Sequence, residues 1–315
     1  MRHALHALND ELRRLKSSGV RTVSVSDESV AALRRAVAGR TEKAGGIRVL
    51  DTPRAGPKPA AAAVVIKPYE PPPYRPAPAV QPVVPVAPAP LLPPDPVIVL
   101  PDGDKGRRWA ALLEAVANDA TCRANVRPGK KIVLGVGALE AKIMFVGEAP
   151  GAEEEIQGEP FVGPAGQLLT KMIQAMGLKR SEVYIGNIMN WRPQMPTVEG
   201  GEQVGNRPPT QDEMRYCLPY LRAQIEVVNP ALLVALGTTA AQGLLGFGSF
   251  KMLGDIRGKW HEFGGKPLMV TYHPSYILRS QSNRSKRLIW EDLLKVMERV
   301  ALPISEKQRG FFLER

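Results

Sequence analysis

Cysteine is almost missing from this chain: Cys122 and Cys217 are the only two in 315 residues. Two thiols exclude a disulfide framework and suit a reducing compartment. Long apolar runs are missing too. None reaches the roughly 18 residues that a membrane-crossing helix needs, so no membrane partner is expected. The amino terminus, MRHALHALNDELRRLKSSG, mixes acids with bases and has no continuous apolar segment. It does not read as a signal peptide, and a cytoplasmic location is the expectation. Acidic residues are in deficit: 42 Lys and Arg face 31 Asp and Glu, a net charge of +11. A polyanionic partner fits that balance. The excess is +5 over residues 1–102 and +6 over the remainder, so no single basic tail carries it.

Proline, by contrast, is abundant and concentrated. Seventeen of the 30 prolines fall between Pro53 and Pro101, among Ala and Val. Such a stretch lacks backbone donors and favours extended polyproline conformation, so residues 51–102 read as a disordered linker. Ahead of it, residues 1–50 read as two short helices. Leu5, Leu8, Leu12 and Leu15 form one amphipathic stripe, and Val30, Leu33 and Val37 lie in a second helix that Ser26 or Asp27 could cap. These helices are too small to bury a core alone. A protein partner for residues 1–50 or for the linker is therefore an open expectation.

The globular domain is expected over residues 103–302, with 303–315 as a tail. Strand and helix signals alternate through it. Helices are predicted over Arg107–Ala117, Gly166–Met176, Ala240–Leu245 and Ser285–Val300. Another follows the capping box Thr210-Gln211-Asp212-Glu213. Strands are predicted at Lys131–Gly137, Lys142–Gly147, Val183–Met189, Ala231–Leu236 and Pro267–Tyr272. Alternation of this kind implies an α/β fold with a mainly parallel sheet sandwiched by helices. A monomer is expected.

Polar residues gather where these strands end, which is where open α/β sheets bind ligands. The run Ile143-Met144-Phe145-Val146 passes abruptly into Gly147-Glu148-Ala149-Pro150-Gly151, placing a carboxylate on a stiff turn. Acidic Glu153 to Glu155 read as a solvated tip. Phe161 follows in a Pro/Gly loop, Glu159-Pro160-Phe161-Val162-Gly163. Asn187 lies inside a strand, where asparagine is disfavoured unless its side chain has a task. His273 opens the segment His273-Pro274-Ser275-Tyr276-Ile277-Leu278-Arg279, and a basic stretch continues through Arg284, Lys286 and Arg287.

The ordered set GEAPG, GEPFVGPAG, the strand with Asn187, Cys217-Leu218-Pro219-Tyr220-Leu221, VALG and TYHPSYILR resembles the uracil-DNA glycosylase superfamily, and most of all its family-four enzymes. The resemblance spans roughly Ala120 to Val300. It implies a DNA-repair hydrolase that flips deoxyuridine out of uracil-containing DNA and breaks the N-glycosidic bond, leaving an abasic site. It implies that Glu148 orients or activates water, and that His273 stabilises charge on uracil O2. Phe161 would stack on the base and Asn187 would read its edge. Main chain at Gly147, Ala149 and Gly151 would approach the base, and Glu154 would stand against a thymine methyl. Ser275, Arg279, Arg284 and Arg287 would meet DNA, with Tyr276, Ile277 and Leu278 as an apolar wedge.

The chain also departs from that family. Its members hold a [4Fe–4S] cluster on four cysteines. Here Trp191 stands at the third position, Asn125 follows Cys122 where the first pair would close, and only Cys217 and Cys122 remain as remnants of cluster ligands. Two cysteines cannot supply a four-cysteine site, so no cofactor is expected. The insert Met195 to Asn206 is acidic and glycine-rich without histidine, unlike the basic histidine loop of relatives that crosslink to DNA. Two other readings stand beside the glycosylase. One is a non-catalytic DNA- or partner-binding module on the same fold. The other is an enzyme acting on free nucleotides, although the Walker and G-x-G-x-x-G patterns are missing.

Overall fold

The structure, a computed structural model, describes residues 92–197 and 201–313. They belong to one compact unit, Val83–Arg315. The two helices expected within residues 1–50, and the linker as far as residue 91, lie outside the described residues. No described helix is long and apolar enough to cross a membrane.

The chain enters through α1 (Lys105–Asn118), which Asp104 caps by accepting from Arg107 N, and α2 (Ala120–Ala124). β1 (Val136–Gly137) and β2 (Ile143–Gly147) follow. Helices α3 (Ala152–Gln157) and α4 (Pro164–Ala175) lead to β3 (Tyr184–Asn187). The expected capping box is present at α5 (Gln211–Val228): Thr210 Oγ1 accepts from Glu213 N, and Glu213 accepts from Thr210 N. Then come β4 (Leu232–Leu236), α6 (Thr238–Leu245), α7 (Leu253–Ile256), β5 (Trp260–Phe263) and β6 (Lys266–Thr271). The last helices are α8 (Pro274–Arg279), α9 (Asn283–Arg299) and α10 (Glu306–Arg309).

Six strands form one sheet in the order β1-β3-β2-β4-β6-β5. The inner four are parallel and the two edges antiparallel. Alternating side chains divide each central strand between two cores. Met144 and Val146 of β2 face one core with α1, α5 and α6; Ile143 and Phe145 face the other with α4, α8 and α9. This explains the uncharged runs: both faces of every inner strand are covered. The register sets Gly147 beside Asn187 and Leu236 beside Thr271. The carboxyl ends of all four parallel strands thus finish at one edge of the sheet.

Several expectations need correction. Lys131–Gly137 is largely not a strand; only Val136–Gly137 joins the sheet, while Lys131 N and Val133 N bond instead to Glu155 O and Asn190 O. Of Glu153 to Glu155, only Glu153 is solvated as expected. The three form the start of α3, and Glu155 is buried against Arg192. The packed unit also passes both expected ends. Leu92, Ile98 and Leu100 lie against the first core, and Phe311 packs on the second beside Trp290. The β5–β6 hairpin was not foreseen. Its turn is Gly264-Gly265, both at positive φ, the two-residue connection that suits antiparallel strands.

Candidate active site

At the edge where the parallel strands end lies a cleft of about 810 Å³. Glu148, Ala149, Gly151, Glu154, Phe161, Asn187, His273, Ser275, Tyr276 and Arg279 line it, as the sequence motifs anticipate. Thr239, Asn206 and Arg207 line it too, and these the motifs did not announce. In sequence Thr238-Thr239 reads as the cap of a short helix, but Gly237 is the cap and Thr239 lies in the first turn of α6; Asn206 is the last residue of the insert.

The floor depends on Gly147. A β-carbon there would stand 2.4 Å from Asn187 Oδ1 and 2.5 Å from the Phe161 ring. Glycine therefore lets both side chains converge on the end of β2. Asn187 is buried, and its Oδ1 has no hydrogen-bond partner among the described residues. A buried carbonyl oxygen without a donor is uncommon in a folded protein and points to a ligand that supplies one.

Phe161 adopts a left-handed backbone, φ +56°, a conformation that costs a bulky residue energy. Its surroundings hold it there. Glu154 accepts from Val162 N at 3.1 Å and Gly163 N at 3.0 Å through one oxygen, and from Gly151 N at 3.1 Å through the other. Arg180 donates to Pro160 O at 2.6 Å. Gly166 underlies the loop, since a β-carbon there would fall 1.8 Å from Phe161 O. Glu154 thus ties the turn after β2 to the Phe161 loop while also bordering the cleft.

His273 sits between β6 and α8, its ring centroid 5.6 Å from that of Phe161. Ser275 N donates to His273 Nδ1 at 3.2 Å, which requires a lone pair on that nitrogen. Arg279 donates to Ser275 Oγ at 3.3 Å, leaving the hydroxyl proton for Nδ1, 2.9 Å away. Nδ1 is the acceptor, so the ring proton resides on Nε2. Burial, and secondly the Arg279 charge, push the His273 pKa down to about 4, with Glu154 opposing. The imidazole is therefore neutral at physiological pH. Burial also raises the Glu148 carboxyl above its usual range, while a hydrogen bond from Thr239 opposes the rise.

The basic and apolar residues after His273 divide. Tyr276 stacks on Tyr272, centroids 4.4 Å apart. Leu278 is 43% exposed, but Ile277 is buried in the second core. A wedge of three side chains is therefore corrected to one free apolar tip. Alternate faces of α8 explain it: one must cover the sheet. Arg284 is exposed. Arg287 bonds Glu291 and the carbonyls of Arg309 and Phe311. It fastens the C-terminal segment, so its Nε and one Nη are already engaged.

Cys122, Cys217 and Trp191 are fully buried in the first core. Trp191 lies against Tyr216, ring centroids 6.2 Å apart. Burial pushes both thiols well above their ordinary pKa, with the neighbouring Cys217 adding to the rise at Cys122. Two thiols sharing a core with an indole are two short of the four thiolates that such a cluster takes. Among the described residues no three His, Cys, Asp or Glu gather as a metal site.

The model of the Uracil DNA glycosylase superfamily matches residues 134–294, half of the chain. A type-4 uracil-DNA glycosylase of Thermotoga maritima is 42% identical over 165 residues, 52% of this chain and 80% of that protein. Its counterpart in Saccharolobus solfataricus is 40% identical over 176 residues, 54% and 76% of the two chains. One from Pyrobaculum aerophilum is 38% identical over 163 residues, 50% and 78%. The matched span runs from just before β1 into α9 and contains the strand ends that build the cleft, so the chain belongs to the uracil-DNA glycosylase superfamily.

Proposed function

We propose that this protein excises uracil from DNA, releasing the base and leaving an abasic site. The observation that carries the reading is the unpartnered Oδ1 of Asn187 at the floor of the cleft, beside Phe161 and His273. A flipped uracil stacks on Phe161. Asn187 Oδ1 accepts from uracil N3–H while its Nδ2 donates to O4. Cytosine offers an acceptor at N3 and a donor at N4, the reverse order, and leaves both amide atoms opposed. Sites built around such a polar match discriminate by roughly four to five orders of magnitude.

Water attacks C1′ of the sugar while the C1′–N1 bond breaks and its electron pair passes to the departing base. His273 Nε2–H donates to O2 where the negative charge grows, as an oxyanion hole does. A neutral imidazole suits this role because, with Nδ1 as the acceptor, its one proton sits on Nε2 and is available to O2. Glu148 orients the water and takes its proton; a carboxyl whose pKa burial has raised is the better base. The catalytic reading is preferred to a binding module because relatives named as uracil-DNA glycosylases match across most of their length. The test is release of uracil from a labelled oligonucleotide, wild type beside Asn187→Ala, with a cytosine control. Wild type should cleave and the variant should lose most of that rate. DNA binding by wild type without any uracil release would sink the proposal.

We infer also that the chain works without the iron–sulfur cluster. The buried indole of Trp191 at one ligand position, and the presence of only two cysteines, support this. Anaerobically purified protein should be colourless; stoichiometric iron and labile sulfide would overturn the inference.

A further inference from the structure

The insert Met195 to Asn206 follows β3 and is acidic and glycine-rich in sequence. In the structure Arg192 fastens its two ends from within. Arg192 and Glu155 are each 5% exposed, and their ion pair is 2.8 Å long. The same guanidinium donates to Gly205 O at 2.7 Å and to Asn206 Oδ1 at 2.8 Å. Gln203, also buried, donates to Pro193 O and Gly205 O and accepts from Met195 N. Breaking a buried pair of this kind is costly, so the end of the loop is a fixed wall of the cleft.

That network decides which way the Asn206 amide points. Arginine can only donate, so the atom facing Arg192 Nε must be the carbonyl oxygen. The Nδ2 group is then turned toward Gly151, 3.7 Å from where a β-carbon on that glycine would stand. It makes no hydrogen bond among the described residues, and Asn206 is exposed and lines the cleft. Its neighbour Arg207 is held by both oxygens of Glu213, at 2.8 and 2.6 Å, and its charge is directed there. The mouth of the cleft on this side thus presents a neutral, oriented donor.

We propose that Asn206 contacts the substrate: its Nδ2–H donates to a phosphodiester oxygen of the extruded nucleotide and positions it. This rests on the glycosylase reading. Asn187, buried at the floor, reads the base; Asn206, exposed at the rim, meets the part of the nucleotide that stays outside. Asparagine is a common neutral partner of phosphate oxygens.

The test separates this contact from the loop-bracing role. Asn206→Asp keeps the oxygen that Arg192 needs, removes the donor and sets a negative charge beside the phosphate. Asn206→Ala removes both. Affinity would be measured on an oligonucleotide containing 2′-fluorinated deoxyuridine, which resists cleavage, alongside single-turnover excision and thermal melting. The expected result is an affinity loss of about ten-fold or more for Asn206→Asp, at least as large as for Asn206→Ala, with melting unchanged in the Asp variant. An Asp variant that binds like wild type, or better than the Ala variant, would overturn the proposal and leave Asn206 as a brace. If wild type binds but releases no uracil, the glycosylase reading fails, and the affinities still decide the role of Asn206.

Discussion

Among the described residues, two regions hold buried polar atoms without a clear partner, and they differ in one respect. At the floor of the cleft, Asn187 lines the cavity, with its buried Oδ1 set against the end of β2 at Gly147. Behind the sheet, Trp191 Nε1 has no partner among the described residues and Asn190 Nδ2 has at most the weak Cys122 sulfur, in close-packed surroundings with Cys217 and Tyr216. On the function proposed above, a base entering the cleft would supply the first with its partner. The second is the residue of a packing solution, in which a large side chain fills space at the expense of its own donor. An orphaned polar atom is a functional signal only where a ligand can reach it.

Four experiments bear on that contrast. The largest effect is expected at the closed region. Trp191→Ala removes a fully buried indole, and losses of about 3–5 kcal/mol are usual for such truncations. Chemical denaturation should show that loss, while excision below the melting transition stays near normal. A stable variant with abolished cleavage would make this region functional and erase the distinction.

The open region should behave in the opposite way. Glu148→Gln and His273→Ala should each lower single-turnover cleavage by roughly two to three orders of magnitude, the scale of a lost base or oxyanion donor. Melting and affinity for an uncleavable uracil analogue should move little. Unchanged cleavage in both would remove them from the chemistry.

Acidity provides a subtler separation. Glu148 must be ionised to act, and burial raises its pKa above the usual 4.5. Cleavage should therefore fall on acidification along a limb that Glu148→Gln abolishes. His273 behaves otherwise: its pKa is depressed from 6.5 to about 4. Between those values the unfolded chain takes up a proton that the folded one refuses, so stability falls as pH drops from about 6.5 toward 4. Melting across that range should show the decline, and His273→Gln should flatten it.

The smallest effects concern the basic stretch. Arg284 is exposed, whereas Arg287 is tied to Glu291 and the C-terminal segment. Arg284→Ala should weaken DNA binding and reduce the salt slope by about one. Arg287→Ala should leave the slope alone and lower melting slightly. A steeper loss of DNA binding from Arg287→Ala would reverse the assignment.

The parallel sheet and most of the cleft were legible in the sequence for a local reason. Runs such as Ile143 to Val146 and Leu232 to Leu236 pass directly into glycine, so the strand and its functional end are written side by side. What escaped depends on distant partners. Glu155 reads as solvated until Arg192, 37 positions away, is placed against it. Arg287 reads as free until the chain returns through Phe311. Ile277 reads as a wedge because nothing local says which face of six residues will cover the second core. The β5–β6 turn was readable, since Gly264-Gly265 between apolar stretches is a hairpin signal.

The left-handed backbone of Phe161 has a consequence for how a base is captured. Glu154, Arg180 and Gly166 fix this ring before any nucleotide arrives. In the proposed stacking of uracil on Phe161, a ring held in place beforehand has little freedom left to lose, so most of the entropy of capture would fall on the DNA strand. A lesion that already spends time unstacked brings less order to lose. The protein would then rank its substrates by the looseness of the surrounding duplex as well as by the identity of the base.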